Sequence, residues 1–301
     1  MAMRILVTGA SGLVGSALVA ALHAEGHSVG RFVRPGLPAN QDDVAWNPVT
    51  GEIDIRAADG ADAIINLAGA SIGEGRWTEE RKVLLRASRV TLTGHLVQAI
   101  EQLDERPEVL VSASAIGYYG NRGDEVLTES SAPGKDFLAE LSRDWEAAAM
   151  RAENAGVRTV TMRFGIVLSK QGGALPQMAK PIKMGVGGKL GSGKQWMSWV
   201  ALDDVVGAIR QAIVPNSMRG PVNVVAPNPA RNEDFTRTLA RVLHRPAIFP
   251  APEFALRLML GEMADALLLS SQRVSPQKLT EVNFSFRYPE LAAALRHALE
   301  A

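Results

Sequence analysis

The residues best suited to chemistry in this chain are three glycines at three-residue spacing. Gly9, Gly12 and Gly15 lie in the stretch Arg4-Ile5-Leu6-Val7-Thr8-Gly9-Ala10-Ser11-Gly12-Leu13-Val14-Gly15. An apolar run, Ile5 to Val7, precedes them, and a helical pattern follows at once. Gly9 lets the chain turn sharply off a strand. Gly12 removes a Cβ where a pyrophosphate must approach the backbone, and Gly15 lets the helix pack close to the strand. The helix N-terminus then offers free N–H groups and the positive end of its dipole. Gly9, Ser11, Gly12, Leu13, Val14 and Gly15 are therefore candidate contacts of a dinucleotide. A phosphate-free turn is the bland alternative. Against it stand Leu18, Val19 and Leu22 on one helical face, the helix stop at Gly26, and a second short strand from Ser28 to Val33.

The end of that second strand discriminates between the two nicotinamide dinucleotides. A carboxylate there accepts from the ribose 2′-hydroxyl, whereas an arginine accommodates a 2′-phosphate. The segment reads Gly30-Arg31-Phe32-Val33-Arg34-Pro35, with no carboxylate on the strand and Asp42 the next acid. Arg34 is placed for a bidentate phosphate contact, which selects NADP(H), with NAD(H) as the alternative.

A second glycine-rich stretch, Gly188-Lys189-Leu190-Gly191-Ser192-Gly193-Lys194-Gln195, fits the G-x-x-x-x-G-K part of a P-loop. Gln195 stands where the magnesium-binding Ser or Thr belongs, and no apolar strand precedes the loop, so nucleotide hydrolysis is not expected. Lys194, Gln195, Trp196 and Trp199 are instead candidates for a pocket taking a phosphorylated or sugar-like ligand. The competing reading is a glycine-shaped surface loop with core tryptophans. No metal site is expected: His23 and His27 are four apart, but Gly26 breaks the helix that would align them.

The elements that must position these residues alternate along the chain. Strands are predicted at 4–8, 28–33, 62–67, 108–113, 157–163 and 221–225, and helices at 12–25, 78–102, 136–155, 203–213 and 232–243. This rhythm implies an α/β protein with a doubly wound parallel sheet of the Rossmann type. Residues 1–165 plus about 201–227 form the dinucleotide-binding part. Residues 166–200 plus 228–301 form a small C-terminal substrate lobe, of which 166–200 reads as glycine- and lysine-rich loops. Ligands in such sheets sit at the C-terminal strand ends, here Thr8-Gly9, 66–75, 112–120 and 163–173.

Composition narrows the class. A hydrophobic fraction of 47% is ample for a packed core over 301 residues. Lys plus Arg and Asp plus Glu are both 32, so no global field favours nucleic acid or an anionic membrane. The chain has no cysteine, which excludes disulfides and thiol chemistry. A strand begins by about Arg4, and no uncharged stretch is long enough for a membrane span. A cytoplasmic protein acting on a small molecule, without nucleic acid or membrane as partner, is the expectation; helix 78–102 or 136–155 could pair two copies as a homodimer.

Several stretches together resemble one family. Thr8 to Gly15 is similar to the cofactor fingerprint of the extended short-chain dehydrogenases/reductases. Asn66-Leu67-Ala68-Gly69, Arg76-Trp77, Ser88-Arg89, Ser114 to Gly120 (SAIGYYG), Asp144-Trp145-Glu146, Arg163 to Leu168, Gly187 to Trp199 and Gly261 to Ala264 narrow the resemblance to its atypical "epimerase family" subgroup. That subgroup carries a C-terminal domain of unassigned function. The resemblance covers residues 3 to 297. It implies an NAD(P)-dependent oxidoreductase or nucleotide-sugar epimerase-like activity, with Leu67, Ala68, Gly69 and Arg89 as further cofactor contacts.

The same resemblance exposes a gap. Such enzymes carry Tyr-x-x-x-Lys, the tyrosine serving as acid/base with its pKa lowered by the lysine. Taking Glu146 as the family's glutamate four residues past that lysine, the lysine position is Ser142 and the tyrosine position is Leu138. No Tyr-x-x-x-Lys occurs anywhere, and the three tyrosines are Tyr118, Tyr119 and Tyr288. The resemblance implies Ser114 as a substrate-binding serine, with Tyr118 and Tyr119 as candidate acids on the same loop. Lys82 and Lys194 are candidate replacements for the lysine, though spacing does not place them. The gap keeps a rival reading open: a non-catalytic NADPH-binding sensor or interaction protein.

Overall fold

The apolar runs become the strands of one parallel sheet. The computed structural model describes residues 2–37 and 39–300. Its main strands are β1 (Arg4–Thr8), β2 (Ser28–Val33), β3 (Val44–Ala45), β4 (Ala63–Asn66), β5 (Val109–Ala115), β6 (Arg158–Phe164) and β7 (Gly220–Val224). They lie in the order β7-β6-β5-β4-β1-β2-β3. The chain moves outward from β1 in one direction through β2 and β3, then restarts on its other side with β4. That reversal opens a crevice at the C-terminal ends of β1 and β4, the usual ligand position in a doubly wound sheet. Ile5, Leu6 and Val7 are fully buried, as are Val109, Leu110 and Val111. Burial on both faces explains why these strands read as continuous apolar runs rather than alternating ones.

Helices cover both faces. On one side α1 (Leu13–Ala24) sends Leu18 and Leu22 into a core shared with Val205 and Ile209 of α6 (Leu202–Ile213). On the other, α3 (Leu92–Glu101) and α4 (Phe137–Met150) pack Leu92, Leu96, Val97, Ile100 and Ala149 over the sheet, while α2 (Glu79–Arg86) packs its Leu85 with Leu138 and Leu141 of α4. The helix expected over 78–102 contains a π-helical turn, Ala87–Thr91, which separates α2 from α3. That register slip is a backbone feature with no periodic side-chain signature.

The segment 166–200 is more ordered than its glycine content suggested. It holds a strand, Ile166–Leu168, then α5 (Ala174–Lys183), then two short strands, Trp196–Met197 and Trp199–Ala201. Pro176 sits in the first turn of α5, where a missing N–H removes no helical bond. Leu168, Leu175, Ile182, Trp199, Phe235, Leu239 and Leu295 form a separate apolar cluster with α7 (Asn232–Val242) and the last helix, α9 (Leu291–Glu300). Between these two helices lies α8 (Glu253–Leu260). Among the described residues no helix is long and apolar enough to cross a membrane.

Gly15 is the tightest point of the first βα unit. A Cβ added there would lie 2.2 Å from the Gly9 carbonyl oxygen and 2.8 Å from the Ala10 Cα, both backbone atoms that cannot swing aside. Gly15→Ala is therefore expected to destabilise the fold by about 3 kcal/mol, a fall of roughly 6–12 °C in the melting temperature. Differential scanning calorimetry checks this; an unchanged melting temperature would show that the turn relaxes freely.

Candidate functional site

The crevice is lined first by the glycine turn. Gly9 has φ +65°, a left-handed conformation, and its backbone lies against Leu67 so closely that a Cβ would meet the Leu67 carbonyl at 2.7 Å. Thr8 fixes this contact. Its hydroxyl donates to Asn66 Oδ1 (2.7 Å) and accepts from the N–H groups of Leu67 and Ala68 (3.1 Å each). Asn66 is buried and donates onward to Thr93 and Ser112. The β1 and β4 loops are thus one unit, which brings Gly9, Ser11 and Gly12 beside Leu67, Ala68 and Gly69. Ser11, Gly12 and Gly69 are exposed, Leu13, Val14, Leu67 and Ala68 half-buried, and Gly15 buried.

The α1 N-terminus behind this turn is open. Its cap, Gly12, supplies no side-chain hydrogen bond, and the first turn holds no acidic residue. The free N–H groups and the dipole therefore face the crevice uncompensated. Arg34 is exposed just past β2 and has no ion-pair partner among the described residues. The nearby acid is withheld from the crevice. Asp43 takes Arg31 in a two-point contact (2.6 and 3.1 Å) and accepts the N–H groups of Arg31 and Asn40. Burial alone would raise the Asp43 carboxyl, but these four donors hold it below the ordinary range.

Arg89 projects from the π-helical turn against Gly69, where a Cβ would stand 3.3 Å from its guanidinium carbon. It donates to the Ala70 carbonyl (2.9 Å), makes longer contacts of 3.4 Å to Leu85 and Ser88, and lies over Trp145. No carboxylate pairs with it among the described residues. Burial, and then the neighbouring Arg81, push its pKa down to about 10, so the cation persists at neutral pH but is poorly compensated.

The other half of the crevice is saturated. Ser114, at the end of β5, donates its proton to Glu146 Oε1 at 2.6 Å. Glu146 also takes Arg163 in a bidentate pair, 2.8 Å to each oxygen. All three are nearly sealed from solvent. Burial alone would lower the Arg163 guanidinium, but Glu146 overcomes it and raises Arg163 above its ordinary value. The two tyrosines separate here. Tyr119 is fully buried; its hydroxyl accepts from Arg163 Nη1 (2.9 Å) and donates to Asn223 Oδ1 (2.6 Å), with the Thr128 carbonyl also at 2.9 Å. Burial raises its pKa to about 12. Tyr118 is half-buried, the Arg163 guanidinium carbon lying over its ring 3.5 Å from the centre, and its hydroxyl has no partner among the described residues. The Tyr119 expectation is therefore corrected: its proton is spent on Asn223, and it is a framework residue. Leu138 and Ser142 are both buried, Leu138 beside Trp77, Leu85 and Met263.

The expected pocket residues divide likewise. Gln195 is buried and donates to the carbonyls of Leu190 and Leu268. Trp199 is fully buried and donates to the Asn228 carbonyl. Direct substrate contact by these two is corrected to a framework role. Trp196 is half-buried, with the Arg231 and Arg273 guanidiniums at 4.5 and 4.7 Å from its ring centre, and donates to Asp124. Lys194 is exposed. Lys82 pairs with Glu262 at 2.6 Å and is not at the Ser114 group. Two of the glycine loop's backbone N–H groups are already used, Gly191 on the Ala251 carbonyl and Gly193 on the Leu190 carbonyl. Gln272 had no sequence signal. Its side chain donates to the carbonyls of Ile116 and Gly120, and its backbone N–H bonds Trp196, stitching the lobe to the tyrosine loop. Among the described residues no cluster could hold a metal ion. Concavity alone would point elsewhere, to an open groove of about 1540 Å³ between α1 and α6 that excludes the glycine turn.

A doubly wound sheet with a glycine turn and an open helix N-terminus at its switch point defines a dinucleotide-binding protein of the Rossmann class. Residues 5–225 match the NAD dependent epimerase/dehydratase family, and the chain belongs to it; residues 251–298 match a domain of unknown function. An epimerase family protein of Mycobacterium bovis is 42% identical over 98% of this chain and 97% of its own. The crystal structure of the human epimerase family protein SDR39U1 with NADPH superposes with a TM-score of 0.88 at 31% identity, covering 99% of each chain. A nucleoside-diphosphate sugar epimerase of Corynebacterium glutamicum gives 0.83 at 36% identity, covering 99% of this chain and 58% of that one.

The Tyr119 geometry sets a pH dependence. Its folded-state pKa lies above the unfolded value near 10, so the folded state keeps a proton that the unfolded chain has lost, and stability falls as pH rises from about 10 to about 12. Absorbance titration at high pH should show one of the three tyrosines ionising late, and Tyr119→Phe should remove that step while losing about 1–3 kcal/mol of stability. A high-pH titration curve left unchanged by Tyr119→Phe would contradict the buried placement.

Proposed function

We propose that this chain binds NADP(H) in the crevice and works as an oxidoreductase or epimerase-like enzyme on a polar small molecule, with nucleotide sugars the first class to test. One observation carries the cofactor reading: the uncapped, acid-free α1 N-terminus opens on the same crevice as two unpaired guanidiniums, Arg34 and Arg89. Each lacks an anion, and a dinucleotide with a 2′-phosphate supplies several. The human relative solved with NADPH supports the choice of cofactor. Gly9, Ser11, Gly12 and the α1 N–H groups hold the pyrophosphate, Leu67 to Gly69 and Arg89 close over it, and Arg34 takes the 2′-phosphate.

The bound nicotinamide supplies hydride chemistry. The chain's own residues supply the hydrogen bonds at the reacting oxygen. Ser114 has given its proton to Glu146, so it presents lone pairs and accepts from a ligand hydroxyl. Tyr118, with its ring fixed by Arg163 and its hydroxyl unpartnered, is the group that donates. Lys194 and Trp196 stand on the lobe side for a polar ligand.

The rival reading, a non-catalytic NADPH-binding protein, is favoured by the absence of any Tyr-x-x-x-Lys in the sequence: the resemblance puts that pair at Leu138 and Ser142, both buried. Turnover separates the two. In a panel of nucleotide sugars and carbonyl compounds, Tyr118→Phe should lower kcat by about 10²–10⁴-fold with NADPH affinity unchanged. Complete absence of turnover by the wild-type chain favours the rival.

Cofactor choice is checked by calorimetric titration of NADPH and NADH. Arg34→Ala should weaken NADPH by about tenfold or more and leave NADH nearly unchanged, losing a charge-assisted contact of about 1.5–3 kcal/mol. Arg89→Met should weaken both nucleotides alike. Wild-type preference for NADH would overturn the Arg34 assignment.

A further inference from the structure

The neutral net charge of the chain hides a local asymmetry on the lobe. Between 174 and 194 there are four lysines and no acid. A cavity of about 370 Å³ beside α7 is lined by Lys189, Arg237, Arg241 and Arg245, with Glu233 the one acid. Arg237 pairs with Asp234, but Arg241 and Arg245 have no carboxylate within ion-pair distance among the described residues. Helix dipoles explain basic residues in the last turns of α5 and α7. They do not explain Lys189 and Arg245, which lie beyond those helices.

Large apolar side chains project from the same face. Phe249 donates its N–H to the Gly187 carbonyl and Ala251 donates to Lys189, so the strip 247–251 lies along the glycine loop. From these two strips Val186, Ile248 and Phe249 stand 58%, 69% and 56% exposed, with Met184 beside them at 67%. The strip then runs into α8, where Phe254, Leu258 and Met259 are also exposed. An apolar patch rimmed by cations is an interaction surface. A second copy is the wrong occupant, because a two-fold contact would set this basic rim against itself. The apolar side chains protrude instead of lining a groove, which suits a fluid apolar layer more than a folded partner.

We propose that this face docks on an anionic phospholipid surface, with Arg241, Arg245 and Lys189 on headgroup phosphates and Ile248 and Phe249 inserted at the acyl boundary. The test is flotation of the full-length chain with vesicles of phosphatidylcholine alone or mixed with phosphatidylglycerol. Recruitment should be at least about tenfold greater with the anionic lipid and fall steeply with salt. Arg241→Glu with Arg245→Glu should abolish it, and Ile248→Ser with Phe249→Ser should reduce it about tenfold or more. All four positions are exposed, and unchanged melting temperatures would show that the variants remain folded. Equal binding to both vesicles, or binding untouched by these substitutions, overturns the proposal. Loss through the charge variant alone, with matching retention on immobilised polyphosphate, assigns the face to a soluble polyanion and also overturns it. A dimer dissolved by the Phe249 variant does the same.

Discussion

The half of the crevice at the ends of β5, β6 and β7 is organised around one buried cation. Taking a guanidinium out of water is costly unless its charge is balanced and its donors are used. Arg163 meets both conditions by recruiting groups from distant parts of the chain: Glu146 from α4, Tyr118 and Tyr119 from the loop after β5, and the Glu129 carbonyl. Each recruit is then constrained in turn. Glu146 takes the Ser114 proton, Tyr119 takes Asn223 of β7, and the Glu129 carboxylate accepts the N–H groups of Asn223 and Lys278. Removing one member of such a set strands the others, at about 3–5 kcal/mol for a buried pair broken on one side. The geometry at the ends of β5, β6 and β7 follows from satisfying Arg163.

The opposite half follows the reverse logic. Around the glycine turn the polar groups that hold the backbone are satisfied, Thr8 and Asn66 above all, while those facing the crevice are left open. An uncapped helix N-terminus, Arg34 and Arg89 present positive charge with no carboxylate paired to it among the described residues. Asp43, the acid that could have met it, is held by Arg31. A ligand that brings phosphates gains from all of these at once, while one that brings only hydroxyls gains little.

Much of the fold was legible because its strands are buried on both faces and its helices carry apolar stripes. Those patterns survive in sequence whatever the tertiary context. The two-residue β3 is too short to show alternation, and the single-turn register slip at Ala87–Thr91 is too small to stand out from an ordinary helical stripe. In the site, the glycine turn was readable because its residue types are dictated by backbone geometry. Tyr118 and Tyr119 were not separable, because adjacent residues of one type differ only in which way the 3₁₀ turn Ile116–Tyr119 aims them. Trp196 and Trp199 posed the same problem: both flank Met197 and Ser198, but only Trp199 enters the core. Gln272 was invisible because a glutamine that satisfies two carbonyls resembles any surface glutamine.

Leu138 and Ser142, where the resemblance puts the usual Tyr and Lys, bear on local polarity as well as on the missing groups. A lysine in place of Ser142 would bring a second cation towards Arg163, whose one carboxylate partner is Glu146. With Leu138 and Ser142 there instead, Glu146 has one cation to balance and a remaining capacity to accept, and Ser114 fills it. The serine is thereby turned from a donor into an acceptor, and on the oxidoreductase reading the donor's part at a ligand oxygen would fall to a neighbour on the same loop. Of the two tyrosines there, Tyr119 has already committed its proton to Asn223 and its oxygen to Arg163. Tyr118 alone is held by its ring and not by its hydroxyl, so on the oxidoreductase reading the loss of the usual pair and the orientation of Tyr118 are consequences of the same charge balance.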